Sequence, residues 1–228
     1  IEQGLKEWAG FDIEVTHAVT GFQEAKRQSE YIDKAVLDKA DGIILSPINA
    51  DCVRKAVNRA VDAGITVITT NADIEGTKRH WCVGADNAQG AHIAGRMMGL
   101  FLGGKGRIAV VSSAIASENN NCYVQLRENE FKRFVRETYP DIQIVTTIDS
   151  FEDPQITYEK TAQLLRDYQD LQGLYITCGG VSQVGRALEE SGRAKDIRVI
   201  SYEDYPEVVE FVRKDVIDCT LAGEIQKQ

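Results

Sequence analysis

The sequence predicts an α/β protein built on parallel sheet, and three observations predict it. Short apolar runs alternate with amphipathic helical stretches along the whole chain. Residues 41–73 hold a complete strand–helix–strand unit, whose two strands lie parallel with the helix crossing over one face. The two strands of that unit, at 42–45 and 65–69, are short continuous apolar runs, as expected of buried strands in a sheet covered on both faces, although the strands read at 11–19 and 142–147 alternate. So many strands in 228 residues fit two Rossmann-like lobes better than one sheet. Only four prolines occur and no Pro- or Ser-rich linker appears, so the lobes are joined by short extended crossings.

The chain begins inside a helix-like stretch at 1–8, where an α/β protein would first place a strand. An N-terminal part is therefore expected to precede it. Residues 11–19 alternate through Ile13 and Val15 and read as a strand. Residues 22–39 read as a helix with Ala25, Tyr31, Ile32, Ala35 and Val36 inward. The central unit follows: a strand at 42–45, then Val53, Ala56, Val57, Ala60 and Val61 at helical spacing, then a strand at 65–69. Asp51 is a fair cap for that helix, and Gly64 supplies its left-handed stop. Ser46-Pro47 and Asn71-Ala72-Asp73 fall just past the two carboxyl ends, where open parallel sheets bind ligands.

A short strand at 81–84 leads into a helix at 87–102 with Ala88, Ala91, Ala94 and Gly95 on one face, stopped by Gly103-Gly104-Lys105-Gly106. Residues 107–111 are a buried strand, and the polar stretch 112–122 is a binding or connecting loop. A charged helix at 124–139 carries Phe131, Phe134 and Val135, with Pro140 after it. A strand at 142–147 and a helix opened by Pro154 come next. Strands at 174–177, 197–201 and 216–222 alternate with helices at 179–191 and 206–214.

Composition narrows the function. The net charge of −9 and the scattered Lys and Arg argue against nucleic acid as a direct partner of this segment. No apolar run approaches the ~20 residues of a membrane helix. Five cysteines, Cys52, Cys82, Cys122, Cys178 and Cys219, are odd in number without paired spacing, which suits free thiols in a reducing cytoplasm. No phosphate-binding loop or dinucleotide fingerprint occurs, and His80-Trp81-Cys82 has too few ligands for a metal, so no cofactor or metal is expected. Cys178 at a helix start could be activated by the dipole, but a buried thiol is the commoner case.

The motifs DGIILSP, DAGITVITTNAD and VGADNAQGAHIAGRMM, with Arg127-Glu-Asn-Glu-Phe131 and RVISYEDYPEVVEFVRKDVIDCTLA, occur in order over nearly the whole chain. Together they resemble the periplasmic-binding-protein-like sugar-binding fold. The resemblance implies two lobes joined by three crossings with a ligand in the cleft. It places residues 1–85 and 206–220 in one lobe, and 86–205 and 221–228 in the other. It also implies truncation at both ends, with the family's first strand before Ile1 and its last helix after Gln228.

The run GLYITCGGVSQVGRALEESGRAKDIRVISYEDYPE is similar to the LacI-type (lactose-repressor) branch of this fold. That implies a cytoplasmic, sugar-sensing effector domain in a homodimer, acting on operator DNA through a helix-turn-helix outside the segment. The alternative is the solute-binding protein of a sugar ABC importer. An enzyme using Cys178 or Glu203 is a third reading, without a base–nucleophile arrangement to support it.

The resemblance assigns ligand-binding roles residue by residue. Arg127 matches the family's arginine, a fork of donors suited to adjacent hydroxyls, although Glu130 replaces a family glycine. Asn71 offers donor and acceptor past its strand, with Asp73 beside it; turn chemistry alone can also explain both. Glu203 matches a ligand-binding Asp and can accept two hydroxyl bonds, or cap the helix before Pro206. Phe151 can stack on a sugar face or serve as core. Ser46 and Glu118 face the cleft by topology. Gly179 and Gly223 stand where importers carry Asn and Gln, so two polar contacts are lost.

Overall fold

The computed structural model describes residues 12–21, 24–113 and 122–222. Two all-parallel sheets organise them. The first has three strands in the order β1 (Gly42–Leu45), β2 (Thr66–Thr70), β3 (Trp81–Val83). The second has the order β5-β4-β6-β7-β8, from β4 (Lys105–Ser112), β5 (Asp141–Asp149), β6 (Gly173–Ile176), β7 (Arg198–Tyr202) and β8 (Cys219–Leu221). The helices are α1 (Ala25–Leu37), α2 (Ala50–Asp62), α3 (Asn87–Phe101), α4 (Cys122–Thr138), α5 (Pro154–Asp167), α6 (Val181–Ser191) and α7 (Pro206–Arg213).

Each sheet has its own core. Ile32 of α1 and Val53, Ala56, Val57 and Ala60 of α2 pack on Leu45 and Val67. The second sheet is covered on both faces. Met98, Phe131 and Val135 lie against Ile108, Val110 and Tyr175 on one side, while Leu164, Leu165, Val184 and Leu188 lie against Val111, Leu174 and Val199 on the other. The inner strands β4, β6 and β7 are accordingly buried along most of their length, as covered parallel strands must be, while the edge strand β5 is more polar and less covered.

Several local expectations are corrected. Asn49, not Asp51, caps α2: its Oδ1 accepts from the Asp51 and Cys52 amides, and Asp51 lies in the first turn. Residues 12–20 form no strand although they alternate. Among the described residues they make no ladder bonds, and Ile13 and Val19 are exposed, so the alternation meets no described core. The last strand shortens to Cys219–Leu221 and pairs with β7, while α7 packs on α6. Residues 206–220 thus join the second sheet rather than the first. The helix read at 1–8 lies outside the described residues.

Candidate functional site

Five of the expected ligand residues, Ser46, Asn71, Asp73, Phe151 and Glu203, lie past the carboxyl ends of strands, and three of them have a left-handed backbone. Asn71 follows β2 at φ +67, Phe151 follows β5 at φ +53, and Glu203 follows β7 at φ +81. Such conformations cost a non-glycine residue about 1–3 kcal/mol and persist where surrounding structure enforces them. Here the enforcement is visible. The Asn71 amide donates to the Val83 carbonyl at 3.2 Å, and a β-carbon on Gly84 would stand 3.1 Å from the Asn71 nitrogen, so Gly84 allows that approach. The Glu203 amide donates to the Leu221 carbonyl at 3.1 Å, and its own carbonyl accepts from Thr220 Oγ1. The Phe151 amide donates to Asp149 Oδ1.

Arg127, on the first turns of α4, is fixed from three sides. Nε donates to Asn87 Oδ1 at 2.8 Å, Nη1 donates to the Thr177 carbonyl at 3.2 Å, and the guanidinium lies 3.7 Å from the Tyr202 ring centroid. Tyr202 is itself anchored, its hydroxyl 3.0 Å from that of Tyr175, which stacks on Phe131 at 3.9 Å. Burial pushes the pKa of both tyrosine hydroxyls up, so they remain neutral. Glu130 is engaged by Arg133 and His92, which hold its carboxyl below the usual range, and makes no described bond to Arg127.

Asn87 joins the two sheets. Its Oδ1 takes Arg127 Nε while its Nδ2 donates to the Asn71 carbonyl at 3.3 Å. Arg127 and Asn71 are thereby brought together, and Glu203 adjoins Tyr202 beneath the guanidinium. Sequence reasoning missed Asn87 and Tyr202. Asn87 follows the capping Asp86 and looks like ordinary helix-start chemistry, and Tyr202 reads as the end of an apolar strand.

Other candidates are placed differently. Asp73 has both oxygens engaged in its own loop, by Arg79 Nε and Nη2 and by the Ile74 amide; the Arg79 bonds hold its carboxyl below the usual range. Ser46 follows β1 with an exposed side chain, its carbonyl taken by Gln28 Nε2 at 2.8 Å. Phe151 is 40% exposed, with Lys160 Nζ 4.5 Å from its ring centroid. Glu118 and Gly223 lie outside the described residues. Burial pushes the Cys178 thiol up to about 12, which suppresses the thiolate a nucleophile requires. Among the described residues no cluster of His, Cys, Asp and Glu could hold a metal, and no helix is long and apolar enough to cross a membrane.

Comparison with known proteins sets this geometry in context. The chain is similar to a D-apiose import binding protein of Paraburkholderia graminis, 21% identical over 199 residues, covering 87% of this chain and 62% of that one. It thus spans under two thirds of that relative's length. A glucose-galactose binding protein of Geobacillus stearothermophilus superposes with a TM-score of 0.84 at 24% identity, over 96% of this chain and 76% of that one. A sugar-binding protein of a Bacillus halodurans sugar ABC transporter does so with a TM-score of 0.74 at 26% identity, over 87% and 67%.

These relatives overturn the regulator reading. They are import and sugar-binding proteins, not transcription regulators, so the LacI-type repressor function and the cytoplasmic location are corrected. The operator DNA and the homodimer belong to that reading and lose their support with it. The free thiols misled because Cys178 is buried and Cys52, Cys122 and Cys219 are half-buried, acting as small apolar groups whatever the compartment. The relatives are binding proteins and not enzymes, in keeping with the inert Cys178. The model of the periplasmic binding protein domain matches residues 1–228, and the chain belongs to that family.

Proposed function

We propose that the chain is the sugar-capturing body of a solute-binding protein for an ABC importer, working outside the inner membrane. One lobe is built on β1–β3 and the other on β4–β8, and the sugar binds between them. The observation that carries this reading is the Arg127 constellation. A guanidinium held by Asn87 and Thr177 over Tyr202 has N–H groups left without a partner among the described residues. The Asn71 backbone is tied to it through Asn87, and Glu203 directly follows the tyrosine it lies over, both in enforced backbone conformations. Fixed donors beside an amide and a carboxylate suit a neutral polyhydroxylated ring. Phe151 and Ser46, exposed past the ends of β5 and β1, are further candidate contacts, whereas Asp73 shapes its loop.

The test is thermal unfolding of the purified protein with D-apiose, D-glucose and D-galactose. A ligand at about a hundredfold excess over Kd adds about 2.7 kcal/mol, a rise of several degrees for a chain of this size. Arg127→Ala is expected to remove that rise while leaving the unliganded melting temperature within a few degrees. An undiminished rise in Arg127→Ala overturns the site, and no rise with any sugar in the wild type overturns the function.

A further inference from the structure

The second sheet has its topological switch between β4 and β6: the connection from β4 leads to β5 on one flank, and the next returns across to β6 on the other. Open parallel sheets bind ligands in the crevice at such a point. One carboxylate straddles it. Glu152, third after β5, accepts from Ser113 Oγ, just past β4, at 2.7 Å through Oε1. Its other oxygen, Oε2, lies against Gly179, just past β6, where a β-carbon would stand only 2.5 Å away. The backbone is enforced here too, with Phe151 at φ +53 and Glu152 at φ +56 in succession. Arg127 reaches the same strand end through Thr177. Among the described residues Oε2 has no hydrogen-bond partner, and Glu152 and Arg127 belong to no ion pair.

We propose that Glu152 is a specificity-determining ligand residue, whose Oε2 accepts a hydrogen bond from a sugar hydroxyl over the β4/β6 crevice. The absence of a side chain at Gly179 is what admits it. This rests on the sugar-binding reading above and adds a contact that no comparison assigns. An ionised carboxylate only accepts, so the ligand presents a hydroxyl donor to it, while Arg127 donates from the neighbouring strand end. A bond to a charged group is worth more than one between neutral groups, so its loss is large enough to measure.

Gly179 has an ordinary backbone conformation, and Gly179→Ala is compatible with it. Its methyl group would push Oε2 out of the crevice, so it should act on binding through Glu152. Kd is measured by calorimetry on the intact protein for D-apiose, D-glucose and D-galactose. Glu152→Ala and Gly179→Ala are each expected to weaken the best of these by about tenfold or more, with unliganded melting temperatures within a few degrees of wild type. The double variant should be no weaker than Glu152→Ala alone. Unchanged Kd in Glu152→Ala overturns the proposal, as does a Gly179→Ala loss that persists in full in the Glu152→Ala background. A wild type that binds none of the sugars overturns the parent function, and the role of Glu152 with it.

Discussion

Asn87 contributes to the site by holding two groups that meet the ligand. Its carbonyl fixes Arg127 and its amide fixes the Asn71 backbone, so Asn87→Ala frees the guanidinium to sample solvent-directed rotamers. It leaves the half-buried Arg127 Nε without its acceptor and the Asn71 carbonyl without its donor, at a cost of about 1 kcal/mol in stability. Sugar affinity is expected to fall by about tenfold, less than for Arg127→Ala, since the donors remain present though unfixed; calorimetry on the two variants checks the ranking. Asp73 predicts the opposite split. The Arg79 pair lowers its folded pKa below the ordinary 3.8, so it stabilises above that value and the contribution fades as pH falls through the lowered one. Asp73→Asn should cost about 1 kcal/mol at neutral pH, a partly exposed pair being screened, and nothing once wild-type Asp73 is protonated. Sugar affinity should not change. Denaturant melts at neutral and strongly acid pH, with one sugar titration, check both halves. A turn-forming Asn-x-Asp was open to two readings in sequence because a carboxylate looks the same whether it faces a ligand or an arginine six residues on.

The strand ends and helix contacts were legible to different degrees. Periodicity located β1 and α3 almost to the residue, since each apolar run meets a core that matches it. The left-handed strand ends at Phe151 and Glu203 were not legible, because neither residue favours φ > 0, whereas Asn71 is of a type enriched there. Only tertiary enforcement makes Phe151 and Glu203 adopt it. This gives a prediction at Glu203, where φ is +81. Glycine there relieves strain but loses more unfolded-state freedom, so stability stays within about 1 kcal/mol, whereas a β-branched valine costs about 2 kcal/mol. Both variants should lose the sugar-induced rise in melting temperature if the carboxylate meets the ligand. The α3–α4 contact sets two effects against each other at Gly99. Alanine improves helix propensity by about 1 kcal/mol. Its methyl would stand 2.2 Å from Tyr139 Cζ, and such overpacking costs about 1–3 kcal/mol. Overpacking wins, so Gly99→Ala is expected to lower the melting temperature despite being a helix-favouring change. The sequence showed a stripe of small residues there, and the ring that fills the groove identifies its purpose.

For the whole molecule, alternating β and α units implied parallel sheets in two groups, because each strand must cross over before it can pair in parallel. Which group receives the last strand was not legible. A short apolar run at 219–221 suits either sheet, and only the pairing of Ile200 with Cys219 decides it. The compartment was not legible either, since thiol count follows packing as well as redox environment. The described contacts between the two parts are few and lie beside the site. Asn87 reaches Asn71, and Cys122 at the start of α4 meets the loop after β1, its amide donating to the Ile48 carbonyl at 3.3 Å and its sulfur accepting from the Ala50 amide at 3.0 Å. A ligand gripping Arg127 and Glu203 on one side and Asn71 on the other favours whichever arrangement brings both within reach, by as much as its affinities for the two arrangements differ. Small-angle scattering should therefore show a smaller radius of gyration at saturating sugar. In Glu203→Gly, stable but without its carboxylate, the unliganded radius should match wild type and the compaction should require far more sugar. A wild type that binds sugar at constant radius would mean that the arrangement is already fixed, with Asn87 and Cys122 acting as permanent braces.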